Sequence, residues 1–441
     1  MRSNLVMIVA GTRPEAIKLA PVFWWLEKLG VDYVFVWSGQ HYDYEMSRVF
    51  FEQLKLPEPD VFLDVGVQAS NVSEQVGLLI QKIASEAKKI QPSFVYALGD
   101  TNTTLAAALA SVHVGRPFVH DEAGMRSFDM TMLEEVNRRV ADAVADLRLA
   151  PSKLAIINLL YEGVPRSSIR LVGSTAVDTL IYIVSNKLQK EEVLSELRVE
   201  PDSFILVTLH RRENLVDERL HLAISALVEI ARAFPDFKIV FPVHPHTRKR
   251  LEELRLYRRL ERDNVVFTKP LGYLEFVALL QAARAVITDS GGVQEEAFVL
   301  GKRIVTLRRT TEWIETVVLG YNQLVGLDDV GEVVKGVVAA IEGRPLPVPD
   351  LIMSPLGDGR AGRRVAKILQ TLLESGIERR RDEFKIPILT KEGSDVSLCF
   401  SADGFPVVEN VSTYCISRER IIPETLRAVI EVNWEEVDRR M

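Results

Sequence analysis

The sequence predicts an α/β protein with two Rossmann-like domains and a small C-terminal α+β appendage. Two observations favour this class. Short, nearly continuous apolar runs alternate with longer amphipathic segments along most of the chain, as expected for parallel strands that helices cover on both faces. The chain also has 441 residues, which is more than one hydrophobic core usually organises.

The N-terminal series of strands and helices predicts the first domain, over residues 1–172. The predicted strands are Leu5–Ala10, Tyr33–Trp37, Phe94–Leu98 and Pro117–His120, and the predicted helices are Glu15–Leu29, Asn71–Ile90 and Asn102–His113. Strand–helix alternation of this kind indicates βαβ units and a doubly wound sheet. We expect a helix near residues 360–378 to return and complete this domain.

A second series predicts another Rossmann-like domain over residues 173–355, and a long helix near Ala176–Leu197 lies between the two series. Its predicted strands are Phe204–Leu209, Lys238–Pro242, Asn264–Phe267, Ala285–Thr288 and Arg303–Leu307, and its predicted helices are Glu218–Ala233, Thr247–Leu256, Tyr273–Ala282, Gln294–Leu300 and Asp328–Ile341. Residues 380–441 change in character and predict a small β-rich appendage without visible chemistry.

Composition and charge exclude several classes of protein. The formal net charge of −7 argues against nucleic acid as a partner, because a phosphate-binding groove normally needs a basic surplus. Two cysteines are too few for a disulfide framework or a structural zinc site, which fits a reduced, cytoplasmic compartment. We expect no membrane insertion, because no apolar stretch approaches the roughly 20 residues of a spanning helix.

The first polar loop after a predicted strand is GTRPE, residues 11–15. Thr12 and Glu15 have the spacing of a capping box, which a helix start alone would explain. Arg13, however, places a cation at a helix N-terminus, where the dipole disfavours it unless an anion binds there, and Lys18 follows one turn later. The loop therefore predicts either a solvated cap or a phosphate contact.

A second polar loop, DSGG at residues 289–292, follows the predicted strand Ala285–Thr288. Gly291 and Gly292 would let the backbone approach a phosphate closely, and Ser290 adds a hydroxyl group at a helix start. One of the two acids at 295–296 could accept hydrogen bonds from a ribose. An ordinary capped helix explains the same residues equally well.

Carboxylates recur at the ends of the first domain's strands, without cations beside them that would compensate their charge. Asp100 lies in the loop after Phe94–Leu98, Glu122 follows the next strand, and Glu134 opens a further helix. Singly, Asp100 and Glu134 are ordinary helix-start acids. Because the ends of adjacent parallel strands meet at one rim, we expect these carboxylates to converge there, which would raise at least one pKa.

Histidines mark the strand ends of the second domain. His210 follows the strand Phe204–Leu209 beside Arg211 and Arg212, a favourable set for a departing phosphate. His244 and His246 follow another strand, but neither a Cys nor an acid accompanies them at ligand spacing, so we predict no metal site. The sequence also lacks GxGxxG after the first strand and GxxxxGK[ST], which removes the main support for dehydrogenases and P-loop enzymes.

Taken together, these loops resemble the non-hydrolysing UDP-N-acetylglucosamine 2-epimerases, in particular their archaeal-type members. The resemblance covers about residues 5–375 in unbroken order. The matching segments are GTRPEAIKLAP (11–21), SGQHYD (38–43), GDTNTTLAAALA (99–110), DEAGMRSFDMTMLEEVNRR (121–139), TLHRREN (208–214), PVHP (242–245), DSGGVQEEA (289–297), TTEW (310–313) and PLGDGRA (355–361).

The resemblance implies a GT-B-like arrangement of the two domains with UDP in the cleft, and a homodimer. It implies a reaction in which UDP is eliminated across C1–C2 of the sugar to leave a 2-acetamidoglucal. UDP then adds back after C2 is protonated from the opposite face. No cofactor is needed for this chemistry, and the expected partner is a UDP-sugar.

The resemblance also implies roles for named residues. Asp100, Glu122 and Glu134 would be the acid/base carboxylates, and His210 would assist the departure and return of UDP beside the β-phosphate. The residues expected to bind the nucleotide are Arg13, Lys18 and Arg211, with Ser290, Gly291 and Gly292 at the phosphates, Glu296 at the ribose and Phe276 against the uracil.

The chain departs from the family's usual residues at several positions. Asp121 stands in place of Val, Leu133 and Ile314 in place of Pro, and Ala143 in place of a common His. Strand alternation predicts that Asp121 points away from the site, although it could raise a neighbouring pKa. Thr101 stands where hydrolysing relatives generally have Arg, which favours the reversible branch.

The sequence is also compatible with three alternatives. The sugar could be modified, as in UDP-2,3-diacetamido-2,3-dideoxyglucuronic acid. The chain could be a GT-B glycosyltransferase, which would need an acceptor pocket and no convergent acids. It could also be a non-catalytic UDP-sugar-binding regulator.

Overall fold

Parallel strand pairing builds two separate sheets in this chain. The computed structural model describes residues 4–40, 51–186, 188, 190–261, 264–379, 397–400, 406–409 and 430–440. The described residues divide into two compact units, Met1–Thr179 with Leu351–Met441, and Leu180–Asp350.

The first unit contains a seven-stranded parallel sheet. Its strands are β1 (Val6–Ala10), β2 (Tyr33–Trp37), β3 (Val61–Phe62), β4 (Phe94–Leu98), β5 (Phe118–Asp121), β6 (Leu147–Ala150) and β7 (Ile169–Leu171). Their spatial order is β3-β2-β1-β4-β5-β6-β7, so the order reverses between β1 and β4. Every residue of β1 and β4 is buried, as expected for central strands that helices cover on both faces.

The helices of the first unit fill the connections between these strands. They are α1 (Arg13–Leu29), α2 (Val65–Gln68), α3 (Val72–Ile90), α4 (Asn102–His113), α5 (Leu133–Val144), α6 (Lys153–Tyr161) and the start of α7 (Thr175–Asn186). A 3-10 helix, Arg166–Ser168, precedes β7. The capping box at Thr12 and Glu15 forms as predicted.

The second unit contains a six-stranded parallel sheet. Its strands are β8 (Phe204–Thr208), β9 (Lys238–Pro242), β10 (Val265–Thr268), β11 (Ala285–Thr288), β12 (Arg303–Thr306) and β13 (Asn322–Leu324). The order is β10-β9-β8-β11-β12-β13, with its reversal between β8 and β11. Ligands of doubly wound sheets bind beyond the carboxyl ends of the strands at such a reversal.

The helices of the second unit also follow the strand–helix alternation. They are the end of α7, α8 (Lys190–Leu197), α9 (Asp217–Ala233), α10 (Pro245–Glu253), α11 (Tyr273–Ala282), α12 (Gly291–Val299), α13 (Ile314–Val318) and α14 (Val330–Glu342), with 3-10 helices at Arg212–Asn214 and Tyr257–Leu260. The predicted fold class, two doubly wound Rossmann-like sheets, is confirmed. The prediction of one long helix at Ala176–Leu197 is wrong, because α7 ends at Asn186 and α8 begins at Lys190.

The chain returns to the first unit after Asp350. Helix α15 (Ala361–Ser375) packs against α1, and its Gly362 lies so close to Pro21 that a Cβ there would stand 2.6 Å from the Pro21 carbonyl carbon. The last described elements are an antiparallel hairpin, β14 (Ser397–Phe400) with β15 (Pro406–Glu409), and α16 (Trp434–Arg440). Most of the predicted appendage, 380–441, lies outside the described residues.

The division between the units falls inside α7, after Thr179, whereas the sequence suggested residue 173. Three contacts account for this position. The Ser174 N–H donates to the Leu356 carbonyl at 2.7 Å, the Thr179 hydroxyl donates to the Ile17 carbonyl at 2.8 Å, and Asp178 accepts from the Gly362 N–H at 2.8 Å. The first turns of α7 are therefore bonded to the first unit.

No helix among the described residues has both the length and the apolar character that crossing a membrane requires.

Candidate functional site

Glu15 joins two of the predicted loops of the first unit. Its Oε2 accepts from the N–H groups of Gly11 and Thr12 at 2.9 and 2.8 Å, and its Oε1 accepts from the hydroxyl of Thr101 at 2.6 Å. Burial raises the pKa of Glu15, although these hydrogen bonds oppose the shift. Glu15 therefore connects the β1–α1 loop to the β4–α4 loop, in addition to its predicted place in the capping box.

Lys18 and Glu122 form an ion pair at the same rim. Lys18 Nζ lies 2.6 Å from Glu122 Oε1 and 2.7 Å from Oε2, and the Glu122 side chain is 9% exposed. Glu122 has a φ of +59°, a left-handed conformation that is uncommon outside glycine. A Cβ at Gly99 would stand 3.5 Å from Glu122 Oε2, so the β4–α4 loop lies directly beside this carboxylate.

Asp100 is paired with an arginine of α5. Its Oδ2 accepts from Arg138 Nη2, and its carbonyl accepts from the Asn137 amide at 3.0 Å. Arg138 Nη1 also donates to Glu135 Oε2 at 3.0 Å. The expectation of acids without compensating cations is wrong for Asp100 and Glu122, because Arg138 and Lys18 pair with them from positions far away in the sequence.

Glu134, the third predicted acid, lies in the first turn of α5 and is half-exposed. It has no hydrogen-bonding or ionic partner within the described part of the chain. Its neighbour Glu135 is fully buried instead and accepts from the Ser127 N–H at 2.8 Å and from Arg139 Nε at 2.9 Å. Burial would raise the pKa of Glu135, but these bonds and Arg138 hold it below its ordinary value.

Asp121 is a second acid at this rim, besides Glu15, whose pKa is raised. Burial is the main cause and raises its pKa to about 6, with a further contribution from the charge of Glu122. Its Oδ2 accepts from the Tyr96 hydroxyl at 2.5 Å, while the Glu122 side chain turns to Lys18. The two neighbouring carboxylates therefore have different partners, as strand alternation predicted.

A buried histidine fixes the backbone on which Asp100 lies. His120 Nε2 donates to the Gly99 carbonyl at 2.8 Å, and Nδ1 lies 2.7 Å from Asp142 Oδ1. Asp142 also binds Arg126 Nη1 and the Gly124 N–H, at 2.7 and 3.0 Å. Burial alone would raise the pKa of Asp142, but His120 and Arg126 outweigh it and lower the pKa to about 2.

Asp289 organises the corresponding rim of the second unit. Its Oδ1 lies 3.1 Å from His210 Nδ1, and its Oδ2 accepts from the N–H of His210 at 3.1 Å, from the N–H of Arg211 at 2.9 Å and from the Asn214 amide at 3.2 Å. Burial would raise the pKa of Asp289, but His210 and these donors hold it below its ordinary value. The His210 side chain stays 42% exposed, so its ring faces away from the core.

The predicted phosphate loop begins α12 at this rim. Ser290 is the N-cap residue, and its N–H donates to the Thr288 hydroxyl at 2.9 Å. Gly291 begins the helix, and a Cβ there would stand 3.4 Å from Glu312 Oε2. Gly292 is exposed. The start of this helix therefore presents N–H groups beside the strand end that carries His210.

Two buried acids lie near this helix start: Glu312, and Glu296 in α12 itself. Arg308 pairs with Glu312 through Nη1–Oε2 and Nη2–Oε1, at 2.9 and 3.1 Å. Arg211 Nη2 lies 4.0 Å from Glu312 Oε1, which places its side chain near the same carboxylate. Glu296 accepts from the Tyr273 hydroxyl at 2.7 Å, and burial raises the pKa of Tyr273 well above its ordinary value.

The remaining predicted residues lie as follows. Phe276 is half-buried on α11, and Arg13 is half-buried as the first residue of α1. His244 is the N-cap residue of α10, and its Nδ1 accepts from the His246 N–H at 3.3 Å. The His210 and His244 rings have centroids 6.2 Å apart.

Two doubly wound sheets of this order, with polar strand ends, define a GT-B-like α/β protein, and solved structures of that class match the chain. A family model described as UDP-N-acetylglucosamine 2-epimerase matches residues 26–370. The chain belongs to this family, which is a family of isomerases.

Individual relatives show how much of the chain the similarity covers. The UDP-N-acetylglucosamine 2-epimerase of Methanocaldococcus jannaschii is 38% identical over 366 residues, covering 82% of this chain and 98% of the relative. The UDP-2,3-diacetamido-2,3-dideoxy-D-glucuronate 2-epimerase of Pseudomonas aeruginosa is 40% identical over 325 residues, covering 73% of this chain and 88% of the relative.

Solved structures of relatives match both units. The crystal structure of the M. jannaschii enzyme in complex with UDP-GlcNAc and UDP has a TM-score of 0.76 and 38% identity, covering 83% of this chain and 99% of that one. The Neisseria meningitidis enzyme bound to UDP-GlcNAc has a TM-score of 0.75 and 30% identity, covering 83% of this chain and 99% of that one.

Proposed function

We propose that this chain reversibly epimerises UDP-N-acetylglucosamine to UDP-N-acetylmannosamine at C2, by elimination and re-addition of UDP. The observation that carries the proposal is that the strand ends of the two units hold different kinds of group, proton-transferring carboxylates in one and phosphate-binding groups in the other. The first unit holds the carboxylates Asp100 and Glu122 at strand ends, and the second unit holds His210 on Asp289 next to the start of α12.

The reaction needs both kinds of group. The C2 proton is not acidic, so its removal becomes easier as the bond between C1 and the β-phosphate oxygen breaks and positive charge develops at C1. The C2–H electron pair then forms the C1–C2 double bond, and the proton goes to a carboxylate. Cations and N–H dipoles stabilise the departing diphosphate, and a positioned carboxylate transfers the proton.

In the proposed reaction, the first unit supplies the groups that transfer protons at the sugar. Glu122 and Asp100 would be acid/base groups, with Lys18 and Arg138 as their counter-charges. Glu134 is the third member, and its half-exposed position leaves its carboxylate accessible to a ligand. A carboxylate on each face of the sugar would allow removal and return of the proton on opposite sides.

The second unit would bind the nucleotide part of the substrate. His210 and Arg211 would stabilise the β-phosphate, and Ser290 with the N–H groups of Gly291 and Gly292 would bind the diphosphate. Glu296 would accept from the ribose hydroxyls, and Phe276 would lie against the uracil. In the first unit, Arg13 would add a phosphate contact at the start of α1. These proposed roles are supported by the positions of the residues in the loops and helix starts that follow the strands of each sheet.

A second candidate substrate is UDP-2,3-diacetamido-2,3-dideoxy-D-glucuronate. The chain is 40% identical to the P. aeruginosa enzyme that is named for this sugar. Purified protein should be given each UDP-sugar separately, with products separated by ion-pair chromatography. We expect the same final mixture of UDP-GlcNAc and UDP-ManNAc whether the reaction starts from UDP-GlcNAc or from UDP-ManNAc. Turnover of only the diacetamido sugar would transfer the proposal to that substrate, and binding without turnover of either would indicate a regulator.

We also propose that the protein works in the cytoplasm as a homodimer, in polysaccharide biosynthesis. The small number of cysteines supports a reduced compartment, and the family resemblance supports a dimer. Light scattering after size exclusion should give about twice the chain mass of 49.6 kDa. A mass that stays at one chain over a wide range of concentrations would contradict the dimer.

A further inference from the structure

A buried hydroxyl–carboxylate pair lies directly beneath Glu122. The Tyr96 hydroxyl on β4 donates to Asp121 Oδ2 on β5 at 2.5 Å. Tyr96 is fully buried and Asp121 is 1% exposed, so no solvent competes for this bond. The two strands are neighbours in the sheet, with Leu98 opposite Asp121 in the register. A buried polar pair of this kind holds one geometry, because breaking it would leave the Tyr96 hydroxyl and Asp121 Oδ2 buried without each other.

The second oxygen of Asp121 bonds the backbone of the candidate base. Asp121 Oδ1 accepts from the Glu122 N–H at 2.8 Å. Glu122 is left-handed, with a φ of +59°, and holding a residue other than glycine there costs about 1 kcal/mol. The bond to Asp121 offsets this strain and fixes the direction in which the Glu122 side chain leaves the backbone, towards Lys18.

We propose that Tyr96 and Asp121 are a positioning pair that holds Glu122 for proton transfer at C2 of the sugar. This inference rests on the proposed function. Neither residue need touch the substrate, because both act through the backbone of Glu122. A valine at position 121 would leave the Tyr96 hydroxyl buried without an acceptor, so the two residues depend on each other in this chain.

The charge of Asp121 should make this positioning dependent on pH. The titratable and charged groups around it are Tyr96 on β4 and His120 and Glu122 on its own segment, with Lys18 of α1 on the far side of Glu122. Burial, with the charge of Glu122, raises the pKa of Asp121 to about 6. Above that pH the ionised carboxylate accepts a strong hydrogen bond from the Glu122 N–H, and below it the bond weakens.

The test compares four variants: Asp121→Asn, Asp121→Val, Tyr96→Phe and the double variant Tyr96→Phe/Asp121→Val. Controls are Asp32→Asn and Tyr161→Phe, because both side chains are exposed. Each protein is assayed for C2 proton exchange on UDP-GlcNAc from pH 5 to 8 and for thermal unfolding. We expect Asp121→Asn to lower kcat roughly 10-fold at pH 8 with KM changed less than about twofold, because a misplaced base slows chemistry more than binding.

The pH dependence separates positioning from stability. The ratio of wild-type to Asp121→Asn kcat should fall towards 1 as the pH is lowered through 6, because the wild-type carboxyl group then also becomes neutral. The double variant should regain much of the thermal stability that Asp121→Val loses but should keep its low kcat. A ratio near 1 at every pH, or recovery of kcat together with stability, overturns the positioning pair.

The same assay distinguishes failure of the proposed function from failure of the positioning pair. Wild-type protein that exchanges no C2 proton overturns the epimerase proposal and the positioning pair with it. Wild-type exchange that all four variants match overturns only the positioning pair.

Discussion

Lys18 Nζ lies 2.6 Å from Glu122 Oε1, although the two residues are 104 positions apart in the sequence. Lys18 projects from the second turn of α1, and Glu122 follows β5. The strands that lead to these two residues end at the same edge of the first sheet, with β4 between them. The lysine therefore supplies the counter-charge of a carboxylate that we propose to remove the C2 proton.

Replacing Glu122 by Gln should lower kcat by at least about 100-fold, because the amide cannot take up the C2 proton. Lys18→Met should also lower kcat, since it leaves a mostly buried carboxylate without its cation. Lys89→Met is the matched control, because Lys89 pairs with Glu86 on an exposed surface. The measurement is the steady-state rate of UDP-GlcNAc epimerisation. A Glu122→Gln variant with more than a tenth of wild-type kcat would exclude Glu122 as the base.

Asp289→Asn should disturb His210 without unfolding the second unit. The amide keeps an oxygen acceptor but presents an NH₂ group to some of the donors that Asp289 now accepts from. We expect kcat to fall roughly 100-fold, since the phosphate side loses its placed histidine. Asp328→Asn, whose carboxylate pairs with Arg309 on the surface, is the control. Activity within twofold of wild type in Asp289→Asn would show that His210 works without this carboxylate.

Glu15→Gln should lower stability. The Glu15 carboxylate accepts from Gly11, Thr12, Thr101 and Thr104, and an amide nitrogen would face some of these donors. The free energy of unfolding should fall by about 1–3 kcal/mol, the usual penalty for unsatisfied buried donors. Urea denaturation at pH 7 measures it, with the exposed Glu374→Gln as the control. An unchanged midpoint would show that the two loops do not depend on Glu15.

The lowered pKa of Asp142 predicts that the free energy of unfolding decreases in acid. Its pKa in the folded protein is about 2, below the ordinary aspartate value of 3.8, so the unfolded chain binds the proton more tightly. The stabilisation is therefore fully present above about pH 4 and is lost as the pH falls through 2, to the extent of about 2 kcal/mol.

Asp142→Asn tests this directly. The variant should be less stable than the wild type at pH 7, because Arg126 and His120 lose their anion. The stability difference between the two proteins should shrink as the pH is lowered from 5 to 3. A difference that is constant over that range would contradict the assigned role of Asp142.

The strand-end positions of the site were predictable from the sequence. Apolar runs identified β2, β4, β9 and β11 with the bounds that the structure has, and the polar loops after such runs carry Asp100, Glu122 and His210. The short strands were missed for physical reasons. β3 has only two residues, and β6 contains Arg148, a fully buried cation that interrupts the apolar pattern and donates to the Asp142 carbonyl at 2.8 Å.

The partners of the site residues were not predictable. Glu15 was interpreted only as a capping residue, and Asp289 only as part of a phosphate loop, because their bonds to Thr101 and His210 connect segments far apart in sequence. The structure also separates two adjacent acids that the sequence could not distinguish. On α5, neighbouring positions differ by about 100°, so Glu135 is buried while Glu134 is half-exposed.

The central claim is that the chain removes and returns a proton at C2 of a UDP-linked sugar. The most direct measurement is NMR of UDP-GlcNAc incubated with the protein in deuterated water, following the signal of the C2 proton. We predict that deuterium replaces this proton while UDP-ManNAc appears, with no accumulation of free N-acetylmannosamine. Retention of the C2 proton by sugars that the protein has epimerised, or release of UDP with free N-acetylmannosamine, would contradict the account.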